Sequence, residues 1–344
     1  NIHIFKFNTS GEIIWNKKIA MSDYSDRHKI ELNENGVIYT NINSLDLNYA
    51  YQKKLYKINS SGSTIDSIGI SSNNLSASIE DFTISKNGKL LILSKSVHKN
   101  DVKSYISLAD SSHNVLWTKE LNYSGYPSNM QFANDSSMYV CFYRNELLYG
   151  IVLDLYKYDV NGNLMWFNET LGPIEISNYV DYEKLYPKLL ISNDNNLLCF
   201  STAKTFLFST RETFLIRKLN ANNGDSIWTF RVSDYISSSS QLANALIDSS
   251  GNIYACGNAN FSYSTGNSYV IAKLSSFGQL LRLTKNENVL SYRFEPQNII
   301  LNKNNELYVN GAYSLPQYGH EMSMTIKYSQ PVNVSPMENS MPEK

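Results

Sequence analysis

Residues 157–166 read KYDVNGNLMW. An alternating stretch ends at Tyr158, a polar turn runs from Asp159 to Asn163, and a second alternating stretch opens at Leu164. The order is that of a β-hairpin, with Gly162 at the turn position that needs φ > 0. The same phrase returns as KFNTSGEIIW (6–15), KINSSGSTID (57–66), LADSSHNVLW (108–117), KLNANNGDSIW (218–228) and KLSSFGQLLR (273–282), with an unfinished copy, TIKYSQ, at 325–330. Gly11, Gly62, Gly224 and Gly278 repeat the turn glycine; His113 stands there in the third copy.

Between these hairpins lies a second family of hairpins. IELNENGVIYTN (30–41) matches FTISKNGKLLIL (82–93), MQFANDSSMYVC (130–141), LLISNDNNLLCF (189–200), ALIDSSGNIYAC (245–256) and IILNKNNELYVN (299–310). Each sets two short strands around an Asn/Asp/Ser/Gly turn. The unit is therefore strand A, turn, strand B, loop, strand C, turn, strand D, repeated about every 50 residues, with no helical pattern between copies. Four antiparallel strands per repeat of this length describe the blade of an all-β propeller. One blade cannot bury both faces of its sheet, whereas radial stacking of several does, leaving only short edges.

The two ends of the chain complement each other. A strand D (12–19) lacks a preceding A–B hairpin, and the last repeat (297–328) supplies A, B and C without D, so N- and C-terminal strands are expected to close the last blade. Strand C nevertheless occurs at both ends, as IHIFKF (2–7) and MTIKY (324–328). Six blades are expected for the chain as it stands, seven if upstream residues are missing. The propeller spans 1–329, and the Pro-containing stretch 330–344 reads as an exposed C-terminal linker.

All four tryptophans, Trp15, Trp117, Trp166 and Trp228, fall at one position of strand D; Asp66 and Arg282 occupy it in the other copies. One aromatic wedge per blade accounts for all four, where a single aromatic binding cluster does not. The leading Asx of each turn is expected to cap it by accepting backbone N–H bonds.

DVNGNLMW (159–166) resembles the Asp-box turn of known propellers, without its leading Ser/Thr. KYDVNGNLMW and TIKYSQ resemble, more broadly, the repeats of secreted bacterial β-propellers, and the K-x-[DN]-x-x-G-x-x-x-W core is similar to PQQ-type propeller repeats. The resemblance covers residues 1–330 and implies a fold rather than a role. The phrase MPEK (341–344) is similar to linkers that precede type IX sorting domains, which implies an extracellular or outer-membrane-surface location.

Chemistry is sparse. Charged residues make up 18% and the formal net charge is −1, so nothing attracts a phosphate backbone and no nucleic-acid partner is expected. No apolar run is long enough to span a membrane. No signal peptide is evident, and the chain, opening at Asn1, reads as already processed. Cys141, Cys199 and Cys256 lie in strand-like runs without metal-ligand spacing and read as buried small apolar residues. His3, His28, His98, His113 and His320 occupy unlike positions, so neither a metal nor a cofactor is expected, and no nucleophile elbow or phosphate loop appears. No catalytic residue is assigned.

A ligand is best sought where the D–A and B–C loops gather. Those loops carry Tyr24, Tyr126, Tyr179, Tyr182, Tyr235, Tyr292 and Arg293 among Ser and Asn, the composition of adaptable recognition surfaces. Phe206, Leu207 and Phe208 form an unusually apolar B–C stretch that reads either as a partner contact or as an extension of strand B or C. The expected function is a non-enzymatic binding or scaffolding propeller for a protein or glycan. The alternatives are a polysaccharide-active lyase or glycosidase, and a structural subunit of a surface assembly.

Overall fold

A computed structural model describes residues 2–328 except 9, 20–28, 46–50, 69–70, 73–74, 77, 99–100, 122–125, 147–149, 169–172, 175–186, 205–211, 237–238, 261–266, 287–292 and 316–319. The A–D strands form five complete antiparallel sheets, each paired in the order A-B-C-D. Blade 1 comprises Ile30–Leu32, Ile38–Leu45, Tyr51–Ile58 and Thr64–Ile68. Blade 2 comprises Ser78–Ile84, Leu90–His98, Asp101–Ala109 and Val115–Leu121. Blade 3 comprises Tyr126–Phe132, Met138–Glu146, Gly150–Tyr158 and Leu164–Asn168, with Pro173–Ile174 added beside its C strand. Blade 4 runs Lys188–Ile191, Leu197–Lys204, Glu212–Leu219 and Ser226–Arg231, and blade 5 Ser239–Ile247, Ile253–Asn260, Asn267–Leu274 and Leu280–Asn286. Arg293–Leu301, Leu307–Leu315 and His320–Tyr328 form an A-B-C sheet, and Ile2–Phe7 pairs with Ile13–Ile19 as a C–D hairpin. This is the strand inventory of a six-bladed β-propeller. The terminal stretch 330–344 lies outside the described residues.

Local chemistry makes the hairpins. In the turn after strand C, the side-chain oxygen of Asp159 accepts the backbone N–H of Asn161 and of Asn163, both at 2.8 Å. Asn8, Asn59 and Asp110 do the same two and four residues on. The A–B turns use Asn33, Asp248 and Asn302 identically. One short acceptor thus satisfies two turn donors that no ladder reaches.

Strand D carries a further device. Its pairing with strand C slips by one residue at Lys6/Phe7, Lys57/Ile58, Leu108/Ala109, Lys218/Leu219 and Lys273/Leu274. The extra residue, among them Ile14, Ile65, Leu116 and Ile227, is left pointing to solvent, about half exposed. The bulge re-aims the next side chain, which is the repeated tryptophan position, onto the same face as the strand-C lysine opposite it.

The chain divides into two compact units, Asn1–Arg144 with Leu155–Phe167, and Asn145–Asp154 with Asn168–Lys344. In the first, Leu91, Leu93, Ile106, Met130, Val140 and Phe142 form one core, and Tyr39, Leu55, Ile79, Phe82 and Ile92 another. In the second, Phe200, Phe214, Ile216, Val270 and Leu274 belong to the largest core, and Tyr254, Cys256, Ile299 and Val309 to a smaller one. Among the described residues no helix is long and apolar enough to cross a membrane.

Candidate functional site

Three junctions between neighbouring sheets pair a strand-D indole with the turn glycine of the following blade. A Cβ on Gly62 would lie 2.9 Å from Trp15 Cδ2, one on Gly162 3.0 Å from Trp117 Cη2, and one on Gly278 2.6 Å from Trp228 Cδ2. Trp15 Nε1 donates to the Ser60 carbonyl and Trp117 Nε1 to that of Val160, both at 3.0 Å. These tryptophans are wedges between sheets. Trp166 lies tilted against Tyr139, ring centroids 5.8 Å apart.

Blade 1 meets blade 2 differently. The tryptophan position holds Asp66 and the glycine position holds His113, which keeps the left-handed turn at φ 70°. The two exchanges meet in space: His113 Nδ1 lies 3.3 Å from Asp66 Oδ2. On the other side of the imidazole, Nε2 lies 3.5 Å from the Tyr39 hydroxyl, and the two rings stand edge-on at 87°. With Nδ1 donating to the carboxylate, Nε2 is left to accept from the phenol. Tyr39 is 2% exposed, and burial pushes its phenol above the ordinary value of 10.0, so it stays protonated.

Beside this pair, where the junctions of Trp15, Trp117 and Trp228 have an indole, the chain leaves a pocket of about 410 Å³. Asn33, Glu34, Asn35 and Val37 from the blade 1 A–B turn line it with Lys86, Asn87 and Gly88 from the blade 2 A–B turn. Tyr39, Lys57 and Ser111 complete the wall. The lining carries two ammonium groups, one carboxylate, three amides and a hydroxyl around the Tyr39 ring.

Lys57 belongs to a repeated series. Strand-C lysines stand over strand-B tyrosine rings at 5.9 Å (Lys57 on Tyr39), 5.4 Å (Lys157 on Tyr139), 5.0 Å (Lys273 on Tyr254) and 5.8 Å (Lys327 on Tyr308). In three blades an acid also neutralises the lysine of this position: Asp135 reaches Lys157 at 3.5 Å, Asp194 reaches Lys218 at 2.7 Å, and Glu306 pairs with Lys327. In blade 1 the corresponding turn residues are Asn35 and Val37, and among the described residues Lys57 has no salt bridge.

A second polar series lies one residue after the strand-A bulge of blade 2, of blade 5 and of the last sheet. Asp81, Asn244 and Asn298 occupy it, each accepting the next backbone N–H, at 2.8, 2.8 and 2.9 Å. Lys29 and Lys188 hold the equivalent places in blades 1 and 4. Lys29 Nζ reaches Asp81 Oδ1 at 3.0 Å, the Phe82 carbonyl at 2.6 Å and Glu31 at 2.9 Å. Lys188 bonds Asn244 and the Ala245 carbonyl, and Asn244 Nδ2 donates to Asn298 Oδ1 at 2.6 Å. Burial works against the Lys29 charge, yet Asp81 and Glu31 outweigh it and hold the ammonium above its ordinary 10.5.

Of the loop residues singled out by sequence, Tyr235 is 46% exposed and stacks on Phe230 with centroids 5.3 Å apart. Tyr126 opens strand A of blade 3 opposite Tyr143, and Arg293 opens strand A of the last sheet opposite Ser314; their side chains lie outside the described set. Tyr24, Tyr179, Tyr182, Tyr292, Phe206, Leu207 and Phe208 lie outside the described residues. The three cysteines are free and buried, and burial pushes the Cys199 and Cys256 thiols up to about 12. Among the described residues no group of three or more His, Cys, Asp or Glu is placed to hold a metal ion.

In the sequence alone, Asp66 and His113 are departures from the repeat. Their coincidence at one junction was the available signal. The strand-A polar series went unseen because its bulge has no marker of its own.

No family model matches the chain, and no curated protein matches it in sequence. Among solved structures it is similar to a Synechocystis apocarotenoid oxygenase, at 9% identity over 86% of this chain and 67% of that one, with a TM-score of 0.51. It is similar to a streptogramin B lyase at 11% identity over 89% and 83%, with a TM-score of 0.50. It is also similar to the β-propeller domain of the trilobed protease from Pyrococcus furiosus at 11% identity over 87% and 96%, with a TM-score of 0.43. Identities this low speak to fold alone. The protein is a six-bladed β-propeller of four-stranded antiparallel blades.

Proposed function

We propose that the protein is a non-enzymatic binding or scaffolding propeller, at the cell surface or outside the cell, whose partner is a glycan or protein. The observation that carries this reading is the open junction between blades 1 and 2. There the repeat gives up its indole wedge and keeps a polar pocket of about 410 Å³ instead. Its walls offer amides, a hydroxyl and ammonium groups around one aromatic ring, which suits recognition of a hydroxyl-rich ligand. A glycosidase requires two carboxyl groups facing across a bond, and Glu34 is the single acid of the lining. Asp66, His113 and Tyr39 have the residue types of a proton relay, but the buried phenol serves to satisfy the imidazole and close the junction behind the pocket. The Tyr-bearing D–A loops supply a second recognition surface in this reading.

The test is a glycan array and a pull-down from the outer-surface fraction with the intact chain, run beside polysaccharide turnover assays. Saturable binding without turnover is expected; turnover of a polysaccharide without retained partner reverses the assignment.

One observation favours the structural-subunit reading. Exposed apolar side chains recur at the start of strand D: Ile13, Ile14, Ile65, Val115, Leu116, Leu164, Met165 and Ile227 are each about half exposed. Light scattering of the purified chain decides it, because a subunit of an assembly associates through such a surface and a lone scaffold stays monomeric.

A further inference from the structure

We infer that the pocket between blades 1 and 2 binds an acidic saccharide unit, its anionic group held by Lys57. The inference rests on the binding reading above and adds the site and the charge of the ligand.

Three of the internal repeats supply the control. At the strand-C position, Lys157, Lys218 and Lys327 each meet a carboxylate from the A–B turn of their own blade. Asp135 and Asp194 are the third residues of their turns; the third residue in blade 1 is Asn35, an amide. Lys57 keeps the contact with its tyrosine ring, 5.9 Å from the Tyr39 centroid, without a described salt bridge, and it opens into the pocket that the missing indole creates. An anion entering there takes the place that Asp135 and Asp194 occupy in the other blades. Lys86 lies across the pocket from the second A–B turn and adds a second positive charge, against the single negative charge of Glu34.

The remaining walls select a sugar over a peptide. Asn33, Asn35, Asn87 and Ser111 offer paired donors and acceptors to hydroxyl groups, and the Tyr39 ring gives one apolar wall. Val37 is the lone aliphatic side chain of the lining, so a peptide's apolar side chain finds no subsite. The shared chemistry is an anionic oxygen group on a pyranose, whether the carboxylate of a uronic acid or a sulfate ester.

The experiment titrates the full chain, by calorimetry, with an oligoglucuronate, a sulfated galactan oligosaccharide, a neutral glucan of the same length and a short polyglutamate peptide. Two variants accompany it. Lys57→Met removes the charge and keeps most of the volume. Asn35→Asp supplies the acid found in blades 3 and 4, so Lys57 is neutralised from within. Unchanged unfolding midpoints show that either variant is folded, and one folded variant suffices. Expected is binding of one or both acidic oligosaccharides, the pair separating carboxylate from sulfate. The affinity should fall at least about tenfold in each variant and weaken with added salt, while the neutral glucan binds poorly throughout. Equal affinity for neutral and acidic glycans, or full affinity in a folded variant, overturns the inference. Preference for polyglutamate over both sugars overturns it as well. A glycan that binds but ignores both substitutions removes this site while leaving the binding function standing; absence of any glycan or protein partner removes both.

Discussion

The contact between a strand-D indole and the glycine of the next blade can be weighed by a pair of substitutions. Gly278 and Gly11 occupy the same turn position, at φ 80° and 85°. Alanine at either must adopt the left-handed region, which costs about 1–2 kcal/mol. At Gly11 the new methyl meets nothing within 4 Å, so the backbone term stands alone. At Gly278 it would sit 2.6, 2.8 and 3.0 Å from Trp228 Cδ2, Cε3 and Cε2. Carbon pairs prefer about 3.5–4.0 Å, so the indole must shift by close to 1 Å within its junction. Overpacking of this kind adds about 1–3 kcal/mol. Gly278→Ala is therefore expected to destabilise by about 2–5 kcal/mol and Gly11→Ala by about 1–2 kcal/mol. Equilibrium urea unfolding, followed by circular dichroism, measures both. A second comparison in a Trp228→Leu background should shrink the Gly278→Ala penalty toward the Gly11 value. If the two alanine variants unfold at the same midpoint, or the penalty persists without the indole, the wedge is not what the turn glycine serves.

Asp66→Trp alone pushes an indole against His113 and should cost about 1–3 kcal/mol, whereas Asp66→Trp with His113→Gly rebuilds the ordinary junction and should recover most of it; denaturation of the four proteins gives the coupling. Asp194 carries a pH signature. Burial opposes its charge, but Lys218, Ser192 and Asn196 override that and draw the carboxyl from 3.8 down to about 2. A depressed carboxylate stabilises fully above its unfolded value and loses that contribution as pH falls through its folded one, so part of the acid limb between those two values should flatten in Asp194→Asn. Lys29 gives the opposite sign: its raised ammonium stabilises at neutral pH and is lost only as pH climbs beyond 10.5, and Lys29→Met should remove that alkaline slope from pH-dependent melting. Cys141, Cys199 and Cys256 should resist a disulfide thiol reagent in the native protein and all react after unfolding; fast native labelling would contradict their burial.

Much of this architecture was readable along the chain. KYDVNGNLMW and its copies specify hairpins because their causes are local: strand alternation has period two, and Asp159 caps its turn with donors two and four residues away. Trp15, Trp117, Trp166 and Trp228 were legible as one position repeated. The candidate site was not. Asp66 and His113 are 47 residues apart, and each alone looks like drift from a consensus.

What the sequence by itself determined, then, is the repeat, its four strands and its turns, since those depend on contacts within a few residues of each other. Tertiary structure alone decided which departures meet, where the omitted indole leaves space, and which strand-C lysine lines that space. Those outcomes depend on packing between blades, which leaves no periodic trace in the order of residues.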